Sequence, residues 1–185
     1  DGAGSSTITV EGVDPVQMTE AALEIRRRLL ADPDRIATVY LKLNINFFKD
    51  YGLVAEQFQL LGIPHRSGIA VTGVKGDLKG GNPGPTVAVM GELDSLKVLG
   101  HPHEDLETSA AHACGHHTQI ANMLGVAMGL QAPRVLENLG GRVALIAVPA
   151  EEYIEIEFRD ELRRQGKIEF LGGKPEFMRL GELDD

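Results

Sequence analysis

Apolar residues in the stretch PVQMTEAALEIRRRLLA, residues 15–31, recur at Met18, Ala22, Ile25 and Leu29. That three-and-four spacing predicts an amphipathic helix. The DPD run at 32–34 stops it, and residues 1–14 read as a flexible lead-in. A second helical region is predicted over 35–61, with a break near DYG at 50–52. It ends where LLGIPHRSG brings in Gly and Pro. From IAVTGVKGD the period shortens: Ile69, Val71 and Val74 predict a strand, and GDLKGGNPGP at 76–85 a turn-rich loop. TVAVMGELDSL at 86–96 opens as a short continuous apolar run, and RVALIAVPAEE at 142–152 repeats it. Such runs predict strands buried on both faces. Between them TQIANMLGVAMGLQ predicts a helix. A charged helix through FRDELRRQG and a turn at LGGKP follow.

Strand, loop, helix, strand is a right-handed crossover unit, so the expected fold is α/β, a three-layer α/β/α sandwich with a mainly parallel sheet. Ligands collect at the carboxyl ends of parallel strands. One buried run ends in Glu92 and Asp94, the other in Glu151 and Glu152. The segment SAAHACGHHTQ joins the same rim just before a helix. Three separate segments are thus expected to meet at one edge.

Composition narrows the classes. With 185 residues the chain has the length of one domain with a substantial core. A formal net charge of -9 repels phosphate backbones, so no nucleic-acid partner is expected. No apolar run reaches the length of a membrane span, so no membrane association is expected. One cysteine excludes an internal disulfide framework and makes a reducing, cytoplasmic setting the default.

The rim carries the chemistry. Cys114 and His116, two apart in an extended segment, project to one side, and a thiolate beside an imidazole suits zinc or a neighbouring transition metal. A buried small apolar filler is the ordinary alternative for Cys114. The PAEE carboxylates either turn outward to water or divide labour, one binding metal and the other taking a proton from activated water. Asp94 is placed to accept the free N–H of a ligand histidine, or to stand as a solvated strand-end acid. Glu92, His101, His103, His112 and His117 are left out of the ligand set. A cysteine nucleophile paired with His112 or His116 is the rival chemistry, and the adjacent glutamates speak against it. No GxSxG elbow or phosphate-binding GxxxxGK[ST] loop occurs.

GELDSL, HACGHH and VPAEE, in that order, resemble the metal-dependent amidohydrolase family of aminoacylases, aminobenzoyl-glutamate hydrolases, indole-acetyl-amino-acid hydrolases and related carboxypeptidases. The likeness is to the branch with a cysteine in place of an acidic bridging ligand, and it runs from about residue 50 onward. The resemblance implies a site for two divalent ions (zinc, manganese or cobalt) that activates water to cleave a small-molecule amide or peptide substrate. It implies Cys114 as the bridging ligand, His116 and Glu152 as further ligands, Glu151 as general base, and Asp94 as the group that orients and polarises the site. His117 stands where relatives commonly carry Asp or Asn. Relatives continue with a further histidine ligand, a lid or dimerisation domain and a late histidine ligand, whereas no histidine follows His117 here. Residues 15–185 are therefore expected to be the N-terminal part of a catalytic domain, with partial or no metal occupancy and little activity of its own. A non-catalytic binding or structural module that kept the fold is the other reading, and pairing of two copies into a homodimer a third.

Overall fold

The computed structural model describes residues 50–184, except residue 107 and the side chains of residues 50 and 51. The predicted lead-in, the helix over 15–31 and the start of the second helical region lie outside the described residues. Within them, helix α1 (Asp50–Leu60) leads into strands β1 (His65–Ile69), β2 (Gly73–Lys79) and β3 (Asn82–Glu92). Two short strands, β4 (Leu96–Lys97) and β5 (Ala110–Ala111), precede helix α2 (His116–Leu130) and the short α3 (Val135–Asn138). Strand β6 (Gly140–Val148), α4 (Ile156–Arg164) and α5 (Gly173–Arg179) complete the order.

The main sheet runs β1-β2-β6-β3. β3 and β6 pair in parallel, as the crossover through α2 requires, with Val87 opposite Val143 and Glu92 opposite Val148. β1 with β2 and β2 with β6 pair antiparallel. The α/β class holds, but over the described residues the sheet is mixed rather than mainly parallel. The reason is local. The predicted strand through Ile69 and Val74 is a hairpin, turning at Ala70 and Val71 with φ of 49° and 79°. The predicted loop at 76–85 instead supplies the end of β2 and the start of β3. Gly80 and Gly81 carry the chain past the start of β6, with Gly80 N donating to Gly141 O at 2.8 Å and Gly81 N to Leu136 O at 2.7 Å. β3 is consequently an edge strand of the described sheet, with Val87 exposed, rather than buried on both faces. Edge placement also tolerates Pro83 and Pro85, which cannot donate to a ladder.

Period-two alternation along β6 builds the layers. Val143, Leu145 and Ala147 join Phe58 of α1, Val74 and Leu78 of β2, and Ile120, Met123 and Ala127 of α2 in one core. Ala144, Ile146 and Val148 face the other way, onto Ile69 and Phe177 of α5. No described helix is long and apolar enough to cross a membrane.

The three-residue loop between paired Ile69 and Gly73 puts positive φ on Ala70 and Val71, a conformation that Asn and Gly adopt readily and a β-branched valine resists. Replacing Ala70-Val71 by Asn-Gly is expected to stabilise the chain by about 1 kcal/mol. A urea midpoint that stays put or falls would contradict this.

Candidate metal centre

The carboxyl ends of β3 and β6 and the N-terminus of α2 meet at one rim. Two close approaches bring them there. A Cβ at Gly91 would lie 2.8 Å from Ile120 Cδ1 and 3.1 Å from its backbone N, so the first turn of α2 rests directly on β3. Gln119 then pairs with Glu92 twice, accepting from Glu92 N at 3.1 Å and donating to Glu92 Oε2 at 3.0 Å. No Cβ would fit at Gly173, where it would meet Pro149 O, so α5 starts against the end of β6.

His116, the first residue of α2, sits at the centre and is buried. Its Nδ1 donates to the Asp94 carbonyl oxygen at 2.8 Å, which fixes the ring and turns Nε2 toward a group of acids. Nε2 lies 3.0 Å from Glu92 Oε2, 3.7 Å from Glu151 Oε2 and 4.0 Å from Glu152 Oε1. Carboxylate oxygens only accept, so a proton or another cation must lie between them and Nε2. Asp94 stands behind the ring: Oδ2 accepts the Glu152 N–H at 2.8 Å and lies 4.0 Å from Arg159 Nη2, and Oδ1 is 3.3 Å from His116 Nδ1.

Two overlapping groups present ligand atoms within 4.8 Å of one another: Cys114, His116 and Glu152, and Glu92, His116 and Glu151. The structure thus brings Cys114, His116, Glu151 and Glu152 together and backs them with Asp94. It also brings in Glu92, which stands outside the ligand set expected from sequence. Lys174 and Arg159, which carried no recognisable signal, join as well. Lys174 Nζ contacts Glu92 Oε1 and lies 3.7 Å from Glu151 Oε1. His112 and His117 are buried beside the centre with ring centroids 5.3 Å apart, while His101 and His103 belong to a surface loop.

Electrostatics favour a cation. Glu92, Asp94, Glu151 and Glu152 face the fixed charges of Lys174 and Arg159, leaving negative charge in excess. Buried Asp94 Oδ1 also has no hydrogen-bond partner in the structure. That donor set, thiol, imidazole and carboxylates, fits a divalent transition ion. Burial alone would raise the Glu92 carboxyl. Hydrogen bonds from Lys174 and Gln119 and the positive fields of His116 and Lys174 outweigh it and hold the group below its ordinary value. The exposed Cys114 thiol moves the other way, raised by its hydrogen bond to Glu152, by partial desolvation and by the charges of Glu152, Glu151 and Glu92. A cysteine nucleophile needs the opposite shift, whereas a divalent ion would reverse the local sign and deprotonate the thiol. The metal reading therefore suits this surrounding better than the nucleophile reading.

No protein-family model matches the chain. Among curated proteins it is 32% identical over 143 residues to thermostable carboxypeptidase 2 of Saccharolobus solfataricus, covering 75% of this chain and 34% of that protein. It is 32% identical over 133 residues to IAA-amino acid hydrolase ILR1-like 2 of Arabidopsis thaliana, covering 70% of this chain and 28% of that one. Among solved structures it matches the Bacillus subtilis YXEP protein, a dinuclear metal-binding peptidase of the M20 family. That match has a TM-score of 0.56 and 26% identity, over 65% of this chain and 36% of that one. The chain spans about a third of the length of these relatives. Over that shared third, the chain is a homologue of amidohydrolases, carboxypeptidases and IAA-amino acid hydrolases, and it is similar in fold to a dinuclear metal-binding peptidase of the M20 family.

Proposed function

We propose that residues 15–185 are the N-terminal part of a catalytic domain that hydrolyses an amide bond in an N-acyl amino acid or peptide-like substrate. The observation that carries this is the meeting of Cys114, His116 and Glu152 within 4.8 Å, with Glu151 beside them. The names of the carboxypeptidase and IAA-amino acid hydrolase relatives point to the same bond type.

Cys114, His116 and Glu152 would hold a divalent ion, with Cys114 shared between two ions in the complete protein; zinc, manganese and cobalt all suit the ligands. When bound, such ions acidify water and polarise the substrate carbonyl. Glu151, exposed at the mouth and adjacent to Glu152, would take the proton from the attacking water and return it to the leaving amine. Asp94 fixes the His116 ring through its carbonyl and holds the Glu152 backbone through its carboxylate, so it positions ligands on two segments at once. A reducing cytoplasm would keep the Cys114 thiol available.

Metal analysis after equilibration with zinc tests the ligand set: the 185-residue chain is expected to retain metal, and Cys114→Ala, His116→Ala to lose it. Equal content in both would refute the assignment. The chain alone is expected to turn over N-acyl amino acids barely or not at all, because no histidine ligand follows His117 in it. Brisk hydrolysis that Glu151→Gln abolishes would disprove that expectation while supporting Glu151 as the base.

A further inference from the structure

A cavity of about 60 Å³ lies between the β1–β2 turn, the end of β6 and helices α4 and α5, several times the room that one water needs. Leu93, Leu162, Ile168 and Leu171 give it apolar walls. Phe158 and Phe170 line it while staying 43% and 46% exposed, which marks its open side. Cys114, His116, Glu151 and Glu152 do not line it; it lies behind Asp94, away from the metal ligands. Arg159, 3% exposed, stands in this apolar lining. Its Nη2 has no hydrogen-bond partner and is 4.0 Å from Asp94 Oδ2, too far for one. Nη1 donates to Ala150 O at 3.5 Å and to Leu171 O at 3.4 Å, both long. Glu176, the other acid of the lining, is already held by the Glu169 and Phe170 N–H groups and by Arg179. Burial keeps the guanidinium below its ordinary value even beside Asp94. A buried guanidinium bonded so weakly is costly unless a further acceptor meets it.

We propose that this cavity binds a small monocarboxylic acid, its carboxylate on the Arg159 guanidinium and its hydrocarbon body against Leu93, Leu162 and Phe170. A planar carboxylate matches the guanidinium fork and replaces two long carbonyl bonds with short, charge-assisted ones. Asp94 is close enough to repel a second negative charge, so a singly charged acid is favoured over a phosphate dianion. Apolar walls with one polar group to fix orientation favour a short alkyl chain over a hydroxylated one. Binding here needs no metal.

Calorimetric titration of the 185-residue chain with hexanoate tests this, with EDTA present so that the acid finds no metal to bind. Wild type is expected to bind one hexanoate per chain. Hexanamide, of the same shape but uncharged, should bind on the order of tenfold or more weakly, and inorganic phosphate should not compete. Two variants locate the site, each checked for folding by urea unfolding. Arg159→Lys keeps a positive charge opposite Asp94 but loses the fork, and should weaken hexanoate on the order of tenfold. Leu162→Trp, at a half-buried helix position, fills the cavity and leaves Arg159 in place, and should abolish binding. Hexanamide binding as tightly as hexanoate, or phosphate displacing it, would overturn the carboxylate assignment. Unchanged hexanoate binding in folded Leu162→Trp, or no binding to wild type, would overturn the site itself.

Discussion

Asp94→Ala is expected to destabilise the chain by about 3 kcal/mol and to weaken zinc binding by about 10–100-fold. Asp94 is 4% exposed and serves three partners from three segments. It accepts the Glu152 N–H, faces Arg159 and backs His116. Arg159 is itself 3% exposed. Burial draws its guanidinium below its ordinary value, and Asp94 is the leading group that pushes it back. Without Asp94, a buried guanidinium loses its main counter-charge and a ligand-bearing backbone loses its anchor. Asp94→Asn keeps the shape and one acceptor, so it should cost less stability while still weakening metal binding. Urea unfolding and zinc titration of both variants decide the matter. Wild-type zinc affinity in both would remove Asp94 from the positioning role.

Glu176→Gln is expected to cost about 2–3 kcal/mol at neutral pH, and the cost should shrink in acid. Glu176 is 1% exposed. Its carboxylate receives the Glu169 and Phe170 N–H groups at 3.1 and 2.9 Å and the Arg179 guanidinium at 2.5–3.1 Å. Burial on its own would raise this carboxyl. The bonds from Arg179, Phe170 and Glu169 more than offset it and lower the group from its ordinary 4.5. The sign follows from linkage: a carboxyl depressed in the folded state contributes stability above its unfolded value. That contribution is lost as pH falls through the lower, folded value. Stability measured from neutrality down past 4.5 should therefore fall more steeply in wild type than in Glu176→Gln, which has nothing to titrate there. A gap between the two that stays constant across that range would show that the charge is irrelevant. Since Glu176 and Phe177 anchor α5, the same variant should also loosen Lys174 from Glu92.

Much of the centre was legible from short-range pattern. Cys114 and His116 are two apart just before a predicted helix, and Glu151 and Glu152 are adjacent after an apolar run whose end must lie at the rim of a parallel pair. The run RVALIAV could be read as a strand because both of its faces are apolar, and β6 does bury both. The same reasoning misplaced β3. An apolar run reports a strand but not its neighbours, and TVAVMG lies at the edge of the described sheet. GDLKGGNPGP read as a loop because Gly and Pro usually break strands. Here they lie where the chain passes the start of β6 and enters an edge strand, which is where Pro and Gly are tolerated. Glu92 falls outside the ligand set expected from sequence because members of the family that the motifs resemble often carry a histidine or aspartate at its position. Only Gly91, by admitting the first turn of α2, puts it beside His116.

By itself, then, the sequence determined the α/β class, the strand–helix–strand crossover, the rim and five of its polar side chains, Asp94, Cys114, His116, Glu151 and Glu152, since those depend on spacing within one segment. Tertiary structure alone decided the mixed pairing of the sheet and the recruitment of Glu92, Arg159 and Lys174. Those depend on which backbones can touch, and that is set by absent side chains at Gly91 and Gly173 rather than by any pattern among the residues that carry charge.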